Sequence, residues 1–348
     1  MVMKSLSPIP IVGNPASPYT RKMVSLLRYR RIPYSIKWGD PRGLLKSLKI
    51  DEPKPILLPV IIFEVDGEEK AVCDSTPIIR HLETEFSKRS VIPSNPALAF
   101  LNYVLEDFGD EWVTKYMFHY RWNFKDDIEN ASTRLPLLHD MNLDDQSHRE
   151  FKKYVADWQT NRLWVVGSNE ITAPIIEASY KRFLEQLEES LARHPFLFGN
   201  RPSSADYAIY GQLTQLIGFD PTSRSIACDR SPRVISWLDL MEDMSGLEPE
   251  EADWLSLENA LENLGSIFQE IGRVYIPALL ANAQGIASKA ESWETQIDGA
   301  IWEQKCFPYQ AKCFKWINDE FNALNENDQS IVSSFLSKTG CEKLILKD

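Results

Sequence analysis

The segment Ser17-Pro18-Tyr19-Thr20-Arg21-Lys22, near the N-terminus of the chain, joins a strand pattern to a helix pattern. An apolar run typical of a β-strand, residues 9–13, precedes it, and Met23, Leu26 and Leu27 follow at helical spacing. Serine is favoured at a helix N-cap, and proline at the first helical position. The stretch therefore predicts a strand that turns directly into a helix, with a serine hydroxyl beside the free amides of that helix.

Residues 1–90 alternate between strand and helix patterns. The pattern predicts strands at 9–13, 34–38, 60–65 and 70–73, and helices at 21–30 and from Thr76 onwards. Asp66-Gly67 lies between two apolar runs and predicts a hairpin turn. The order β-α-β followed by β-β-α predicts an α/β domain, with a four-stranded mixed sheet and helices packed on it.

Helical periodicity takes over after a proline-containing linker near residues 93–96. We expect an all-helical domain over residues 97–246, and the predicted helices cover 97 to beyond 112, 146–163, 174–192, 204–216 and 232–244. The polar, irregular stretch 123–145 predicts a long loop or a broken helix. Residues 247–348 continue with amphipathic helical patterns and predict a helical C-terminal extension.

The composition narrows the class of protein. The chain has 348 residues, of which 43% are hydrophobic and 25% charged, values that are ordinary for a globular protein. No apolar run approaches the roughly 20 residues that span a bilayer, so we expect no membrane insertion. A long apolar run of the secretory type is also missing near the N-terminus, and we expect a cytoplasmic protein. The net charge of -12 argues against a nucleic-acid partner, because a phosphate backbone attracts clustered cations.

The cysteines give no sign of a metal site. Five of them are scattered along the chain without a close pair and without neighbouring histidines at ligand spacing. Cys306 and Cys313 lie two helical turns apart, which is too far for an unstrained disulfide. We therefore expect reduced, mostly structural cysteines and no bound metal.

Three segments in this order resemble the N-terminal domain of the cytosolic glutathione S-transferases: Ser17 to Lys22, Leu58-Pro59-Val60 and Asp74-Ser75. A fourth segment, Ser203-Ser204-Ala205-Asp206, resembles the capping box of the helical domain in that family. The resemblance implies a thioredoxin-like domain followed by an all-helical transferase domain. It also implies glutathione as co-substrate and a homodimer.

The resemblance assigns the central role to Ser17. In family members with an S-P-F or S-P-Y sequence here, the serine hydroxyl donates a hydrogen bond to the glutathione sulfur and stabilises the thiolate. A hydrogen bond to the charged form lowers a pKa, and the positive end of a helix adds to the effect. Three alternatives stay open: Ser17 is only an N-cap, or Asn14 or Tyr19 contacts the sulfur instead.

The other two segments would bind the rest of glutathione. Pro59 resembles the cis-proline of the thioredoxin fold, which exposes the backbone of Leu58 to the cysteinyl unit of the ligand. Asp74 and Ser75 correspond to the residues that hold the γ-glutamyl end, the carboxylate by accepting from the ammonium group and the serine by binding the carboxylate. A trans proline at the start of a strand and a simple helix cap remain the alternatives.

Two parts of the ligand site have weaker sequence signals. For the glycine end the family uses a cation or an aromatic residue before Pro59, and the candidates are Lys54 and Arg42, with Trp38 and Lys46 also present. For the second substrate, the aromatic segment 112–122 suggests a pocket. Its candidate residues are Tyr19, Tyr116, Tyr120 and Arg121. Core packing is the alternative for this segment.

The resulting hypothesis is a glutathione transferase-like enzyme. The thiolate would attack an electrophilic, hydrophobic small molecule, giving conjugation, ether cleavage or dehalogenation, and the family is associated with detoxification. The alternative is a non-catalytic protein that uses the same fold to bind partners or to sense glutathione. Reduction by glutathione would need a cysteine near the thiol, and Cys73 is the neighbour in sequence. A second aromatic group, in the tail between Trp293 and Trp316, suggests either a lid or an extra packing layer.

Overall fold

The computed structural model describes residues 3–345 and begins with a mixed β-sheet. Its strands are β1 (Met3–Ser5), β2 (Ile9–Gly13), β3 (Tyr34–Trp38), β4 (Val60–Val65) and β5 (Glu68–Val72). The helices of this region are α1 (Pro18–Arg30), α2 (Pro41–Leu48) and α3 (Ser75–Glu85). The predicted α/β order is confirmed except for α2, a helix where a loop was expected, and α1 begins at the predicted proline.

The sheet is four strands wide, although five strands form it. β2 pairs in parallel with β3 and antiparallel with β4, and β5 pairs antiparallel with β4 on its other side. β1 pairs with the far end of β4, on the same side as β2. The predicted four-stranded sheet therefore needs one correction, the three-residue strand β1. Such a short strand leaves no periodic signal in the sequence.

The second domain is helical, as predicted. It consists of α4 (Pro96–Glu111), α5 (Val113–Asn123), α6 (Lys125–His139), α7 (Asp145–Thr160), α8 (Ala173–Leu191), α9 (Ser204–Leu216), α10 (Pro221–Arg230) and α11 (Pro232–Met241). For residues 123–145, where a long loop or a broken helix was expected, the structure has the helix α6 over most of the segment. This helix buries only a narrow strip, Asp127, Ala131, Ser132 and Pro136, so its sequence reads as polar. α10 was not predicted at all.

The extension is only partly helical. It consists of α12 (Leu257–Glu270), a π-helical turn (Ile271–Tyr275), α13 (Ile276–Ala287), the hairpin strands β6 (Ser292–Ile297) and β7 (Ala300–Lys305), α14 (Pro308–Asn322) and α15 (Glu326–Lys338). The prediction of a wholly helical extension was wrong over the hairpin. The signal was present, since Asp298-Gly299 forms its turn with positive φ values of 47° and 89°.

The extension packs against α4, the first helix of the second domain. Ring centroids lie 5.6 Å apart for Phe100 and Phe321, and 5.5 Å apart for Trp112 and Trp302. On its other side α4 contacts α9, and α9 in turn contacts α1. All three regions contribute to one continuous hydrophobic core. The extension is therefore an integral layer of the fold.

Candidate active site

Three predicted segments meet at one edge of the sheet. The register pairs Val12 of β2 with Val60 of β4, and Ile61 of β4 with Val72 of β5. The end of β2, the start of β4 and the end of β5 are therefore neighbours. Residues 14–17, 58–59 and 74–75 follow or precede these strand ends, so the sheet topology brings them together.

Ser17 is the N-cap of α1, as predicted. Its Oγ accepts a hydrogen bond of 3.2 Å from the backbone amide of Thr20, and its own amide donates to the carbonyl of Asn14 at 2.9 Å. Within residues 3–345 we find no acceptor for the hydroxyl proton of Ser17. The hydroxyl can thus donate to a ligand while it caps the helix.

The two alternatives to Ser17 are engaged by the protein. The side-chain oxygen of Asn14 accepts from the amide of Ala16 at 2.8 Å, and its nitrogen donates to the carbonyl of Leu138 at 3.4 Å. The hydroxyl of Tyr19 donates to the carbonyl of Asp110 at 2.8 Å. Ser17 is therefore the best placed of the three to donate a hydrogen bond to a sulfur atom.

The peptide bond between Leu58 and Pro59 is cis, the form that the resemblance implies. Pro59 is buried and Leu58 is half-buried. The register of β2 and β4, carried one step beyond Val12 and Val60, sets Pro59 opposite Gly13. The backbone of Leu58 therefore lies beside the turn that leads to Ser17.

Asp74 has an unusual backbone and an unexpected partner. Its φ of 86° lies in the left-handed region, which residues other than glycine rarely adopt and which is frequent at functional sites. Its Oδ2 accepts a hydrogen bond of 2.9 Å from the hydroxyl of Tyr309 in the extension. Burial raises the pKa of the Asp74 carboxyl, and the bond from Tyr309 and the charges of Lys22 and Lys312 oppose that rise.

Ser75 is tied to a buried lysine that the sequence interpretation missed. The ammonium group of Lys22 donates to Ser75 Oγ at 3.1 Å, to Glu106 Oε1 at 2.9 Å and to Asp110 Oδ2 at 2.6 Å. Burial lowers the pKa of Lys22, but Asp110 and Glu106 outweigh it, so the net shift is upward. Lys22 therefore stays charged. Its position four residues before Leu26, on the buried side of the helix, was the available signal.

Three of the four residues predicted to line a second-substrate pocket lie in the protein interior. Tyr116 and Tyr120 are 0% exposed. Tyr116 shares a hydrogen bond of 2.6 Å with Ser179. Arg121 is buried and forms an ion pair of 3.0 Å with Asp220. The pocket prediction for Tyr116, Tyr120 and Arg121 was wrong, because an aromatic stripe at helical spacing here serves core packing.

A cavity does adjoin the turn before α1. It has a volume of about 380 Å³, and residues from that turn, α1, α6, α9 and α11 line it. Pro15 and Arg21 belong to this lining, together with Arg134 and Phe219. The cavity thus extends from this turn toward α6 and α9, and its lining includes neither Ser17 nor the segment 112–122.

The two cations predicted for the glycine end are both exposed. The guanidinium of Arg42 pairs with Asp40 at 3.3 Å at the start of α2. Lys54 lies in the loop between α2 and β4. Their role toward a ligand stays a prediction.

Neither a metal-binding group nor a membrane-spanning helix occurs among the described residues. Among residues 3–345, no three or more histidine, cysteine, aspartate or glutamate side chains come together in a group that can hold a metal ion. In the same part of the chain, no helix combines the length and apolar character needed to cross a bilayer.

Comparison with known proteins gives two family matches. Residues 12–90 match the N-terminal domain of glutathione S-transferases, and residues 152–240 match the C-terminal domain. No curated protein matches the sequence. The chain therefore carries both domains of the glutathione S-transferase superfamily, a thioredoxin-like N-terminal domain and a helical C-terminal domain.

Several solved structures are similar to this chain. FzlA from C. crescentus has 14% identity and a TM-score of 0.44, covering 73% of this chain and 98% of its own. A glutathione transferase family member from Pseudomonas fluorescens, with two glutathione molecules bound, has 16% identity and a TM-score of 0.41, with 67% and 87% coverage. The beta-etherase LigF from Sphingobium has 15% identity and a TM-score of 0.43, with 67% and 94% coverage.

Proposed function

We propose that this protein binds glutathione at the sheet edge and stabilises its thiolate with the Ser17 hydroxyl, for attack on an electrophilic, largely apolar small molecule. The observation that carries the proposal is the placement of Ser17. Its hydroxyl caps α1, keeps its proton for a ligand and lies at the same edge as the Leu58-Pro59 and Asp74-Ser75 segments.

The chemistry follows from the pKa of a thiol. A free cysteine thiol has a pKa of about 8.5 and is mostly protonated at neutral pH. A hydroxyl donating to the sulfur, at the positive end of a helix, favours the thiolate, and one unit of pKa corresponds to about 1.4 kcal/mol. The thiolate then forms a carbon–sulfur bond to the electrophile, and a leaving group departs with the electron pair of the bond that breaks.

The remaining residues would hold the peptide. The backbone of Leu58 would pair with the cysteinyl unit, and Asp74 would accept from the ammonium group. Ser75 and the amides at the start of α3 would bind the γ-glutamyl carboxylate, since the Ser75 hydroxyl accepts from Lys22 and keeps its own proton to donate. Lys54 or Arg42 would pair with the glycine carboxylate. These local groups matter because the net charge of -12 repels an anionic ligand.

The test is the Ser17→Ala variant, with Ser256→Ala as matched control. Ser256 is the N-cap of α12 and accepts from the amide of Asn259 at 3.3 Å, so both variants remove a serine cap. Each should lose about 1 kcal/mol of stability. Only Ser17→Ala should raise the pKa of bound glutathione, by about one to two units, measured from the ultraviolet absorbance of the thiolate.

The proposal would fail if bound glutathione had the pKa of the free thiol and Ser17→Ala changed nothing. Binding without a lowered thiol pKa would support the non-catalytic alternative instead.

We also propose, from the family resemblance, that the protein is a cytoplasmic homodimer. Light scattering during size-exclusion chromatography would measure the oligomeric state, and a monomeric mass would contradict that part.

A further inference from the structure

The extension reaches the sheet edge where the ligand site lies. Tyr309 is the second residue of α14, and its hydroxyl bonds to Asp74, 235 positions away in sequence. Asp74 is the carboxylate that we assign to the ammonium group of glutathione. A residue from outside the two transferase domains therefore contacts a residue of the proposed site directly.

Tyr309 is held in place independently of Asp74. Just before α14, the amide of Phe307 donates to the side-chain oxygen of Asn282 at 2.7 Å, and the nitrogen of Asn282 donates to the Phe307 carbonyl at 2.9 Å. Just after Tyr309, the side chain of Gln310 donates to Glu111 at 3.1 Å. These bonds fix the start of α14 against α13 and α4. The Tyr309 hydroxyl is thus a fixed donor toward the site.

A cation accompanies the tyrosine. Lys312 is exposed, and its ammonium group lies 4.1 Å from the ring centroid of Trp316 and 5.8 Å from that of Tyr309. Lys312 therefore lies beside the residue that bonds to Asp74, and its charge also helps to lower the pKa of that carboxyl against the rise caused by burial. Lys312 thus adds a positive charge next to Tyr309 in a protein whose net charge is -12.

We propose that the extension completes the γ-glutamyl end of the glutathione site through Tyr309 and Lys312. Tyr309 is a positioning residue: it occupies Oδ2 of Asp74 and turns Oδ1 toward the ammonium group of the ligand. Lys312 attracts the γ-glutamyl carboxylate. The site thereby selects thiol peptides that carry a free, zwitterionic γ-glutamyl unit. This inference rests on the proposed function, because it takes glutathione as the ligand of Asp74.

The experiment measures binding of two thiols to the full chain by calorimetry and competition. Glutathione carries the γ-glutamyl unit, and cysteinylglycine lacks it. The variants are Tyr309→Phe, which keeps the ring, and Lys312→Gln. The matched control is Lys315→Gln, since Lys315 is exposed on the same helix and pairs with Asp319. Asp74→Asn tests the proposed function separately.

We expect Tyr309→Phe and Lys312→Gln each to weaken glutathione binding about five- to tenfold, since a hydrogen bond to a charged group is removed or a charge is lost. Neither should change the binding of cysteinylglycine, and Lys315→Gln should bind both thiols like the wild type. If Tyr309 had only a structural role, Tyr309→Phe would weaken the binding of both thiols by the same factor. Lys312 is exposed, so its variant folds even if Tyr309→Phe does not.

Three results would overturn the inference. Unchanged glutathione affinity in both variants, with Asp74→Asn still defective, would reject the role of the extension and keep the proposed function. Tighter binding by Tyr309→Phe would show that the hydroxyl competes with the ligand. Failure of the wild type to bind glutathione at all would reject the proposed function, and this inference with it.

Discussion

At the scale of single residues, charge pairing organises the proposed site. Lys22 is fully buried and contacts Ser75, Glu106 and Asp110. Glu106 also pairs with Arg80 at 3.1 Å and accepts from Ser204 at 2.7 Å. One ammonium group thereby links α1 and α3 of the first domain to α4 of the second. The segments that carry Ser17 and Ser75 are fixed to each other through it.

Replacing Lys22 should therefore cost more stability than replacing an exposed lysine. Lys22→Met leaves two buried carboxylates without their shared cation, and breaking such a pair costs about 3–5 kcal/mol. Lys46→Met, on the exposed side of α2, should change stability by less than about 0.5 kcal/mol. Urea unfolding of both variants measures the difference. A loss below about 1 kcal/mol for Lys22→Met would contradict the network.

At the scale of elements, a close helix contact sets the position of α1. A side-chain carbon at Gly211 in α9 would lie only 2.5 Å from the carbonyl oxygen of Pro18. α4 approaches α9 similarly, where a carbon at Gly109 would lie 3.0 Å from the side chain of Ala208. Glycine at these positions lets backbones come near. The start of α1, with Ser17, is therefore positioned by α9.

The variant Gly211→Ala should disturb both stability and binding. The added methyl pushes against backbone that cannot rotate away, so we expect a loss of about 1–3 kcal/mol and weaker glutathione binding. Gly265→Ala is the matched control, because nothing lies within 4 Å of the carbon added in α12. That change should stabilise the protein by about 0.5–1 kcal/mol. Thermal unfolding measures the stability of the two variants, and calorimetry measures their glutathione binding. Equal effects of Gly211→Ala and Gly265→Ala would contradict the close contact between α9 and α1.

At the scale of the whole molecule, the extension buries acidic groups of α4. Burial raises the pKa of Asp107 to about 7 and that of Glu111 to about 8, and the neighbouring carboxylates add to both shifts. Asp107 accepts a hydrogen bond from Tyr275, and Glu111 accepts one from Gln310. Both donors belong to the extension. Their hydrogen bonds lower the two pKa values, but burial outweighs them, so the protonated forms of Asp107 and Glu111 are favoured on balance.

Stability should fall as the pH rises toward 8. Asp107 and Glu111 bind protons more tightly in the folded chain than at their ordinary pKa values of 3.8 and 4.5. Between about pH 4 and pH 8 the folded state thus holds more protons than the unfolded state, so its advantage shrinks with rising pH. The double variant Asp107→Asn and Glu111→Gln should lose less thermal stability than the wild type between about pH 5.5 and 8. Melting temperatures measured in steps of about half a pH unit check this.

The control for this series is Glu320→Gln, an exposed carboxylate on α14. It should follow the wild type at every pH. If the double variant also followed the wild type, the buried carboxylates would not be the source of the pH dependence.

Local sequence patterns predicted most elements of the first domain and the resemblance to the glutathione S-transferases. Caps, helical spacing and the Asp66-Gly67 turn act within a few residues, so they predicted α1, the hairpin of β4 and β5, and the turn at Ser17. The local signals of β1 and α6 were too weak to predict them, since β1 has three residues and α6 buries only a narrow strip. The β6–β7 hairpin was missed although Asp298-Gly299 marked its turn.

Tertiary packing sets which side chains share a site. It paired Lys22 with Glu106, 84 positions away, and Tyr309 with Asp74, 235 positions away. It also buries Tyr116 and Tyr120 in the hydrophobic core. The physical reason is that a buried charge or ring is stabilised by whichever elements the packing brings next to it, and no local pattern records those elements.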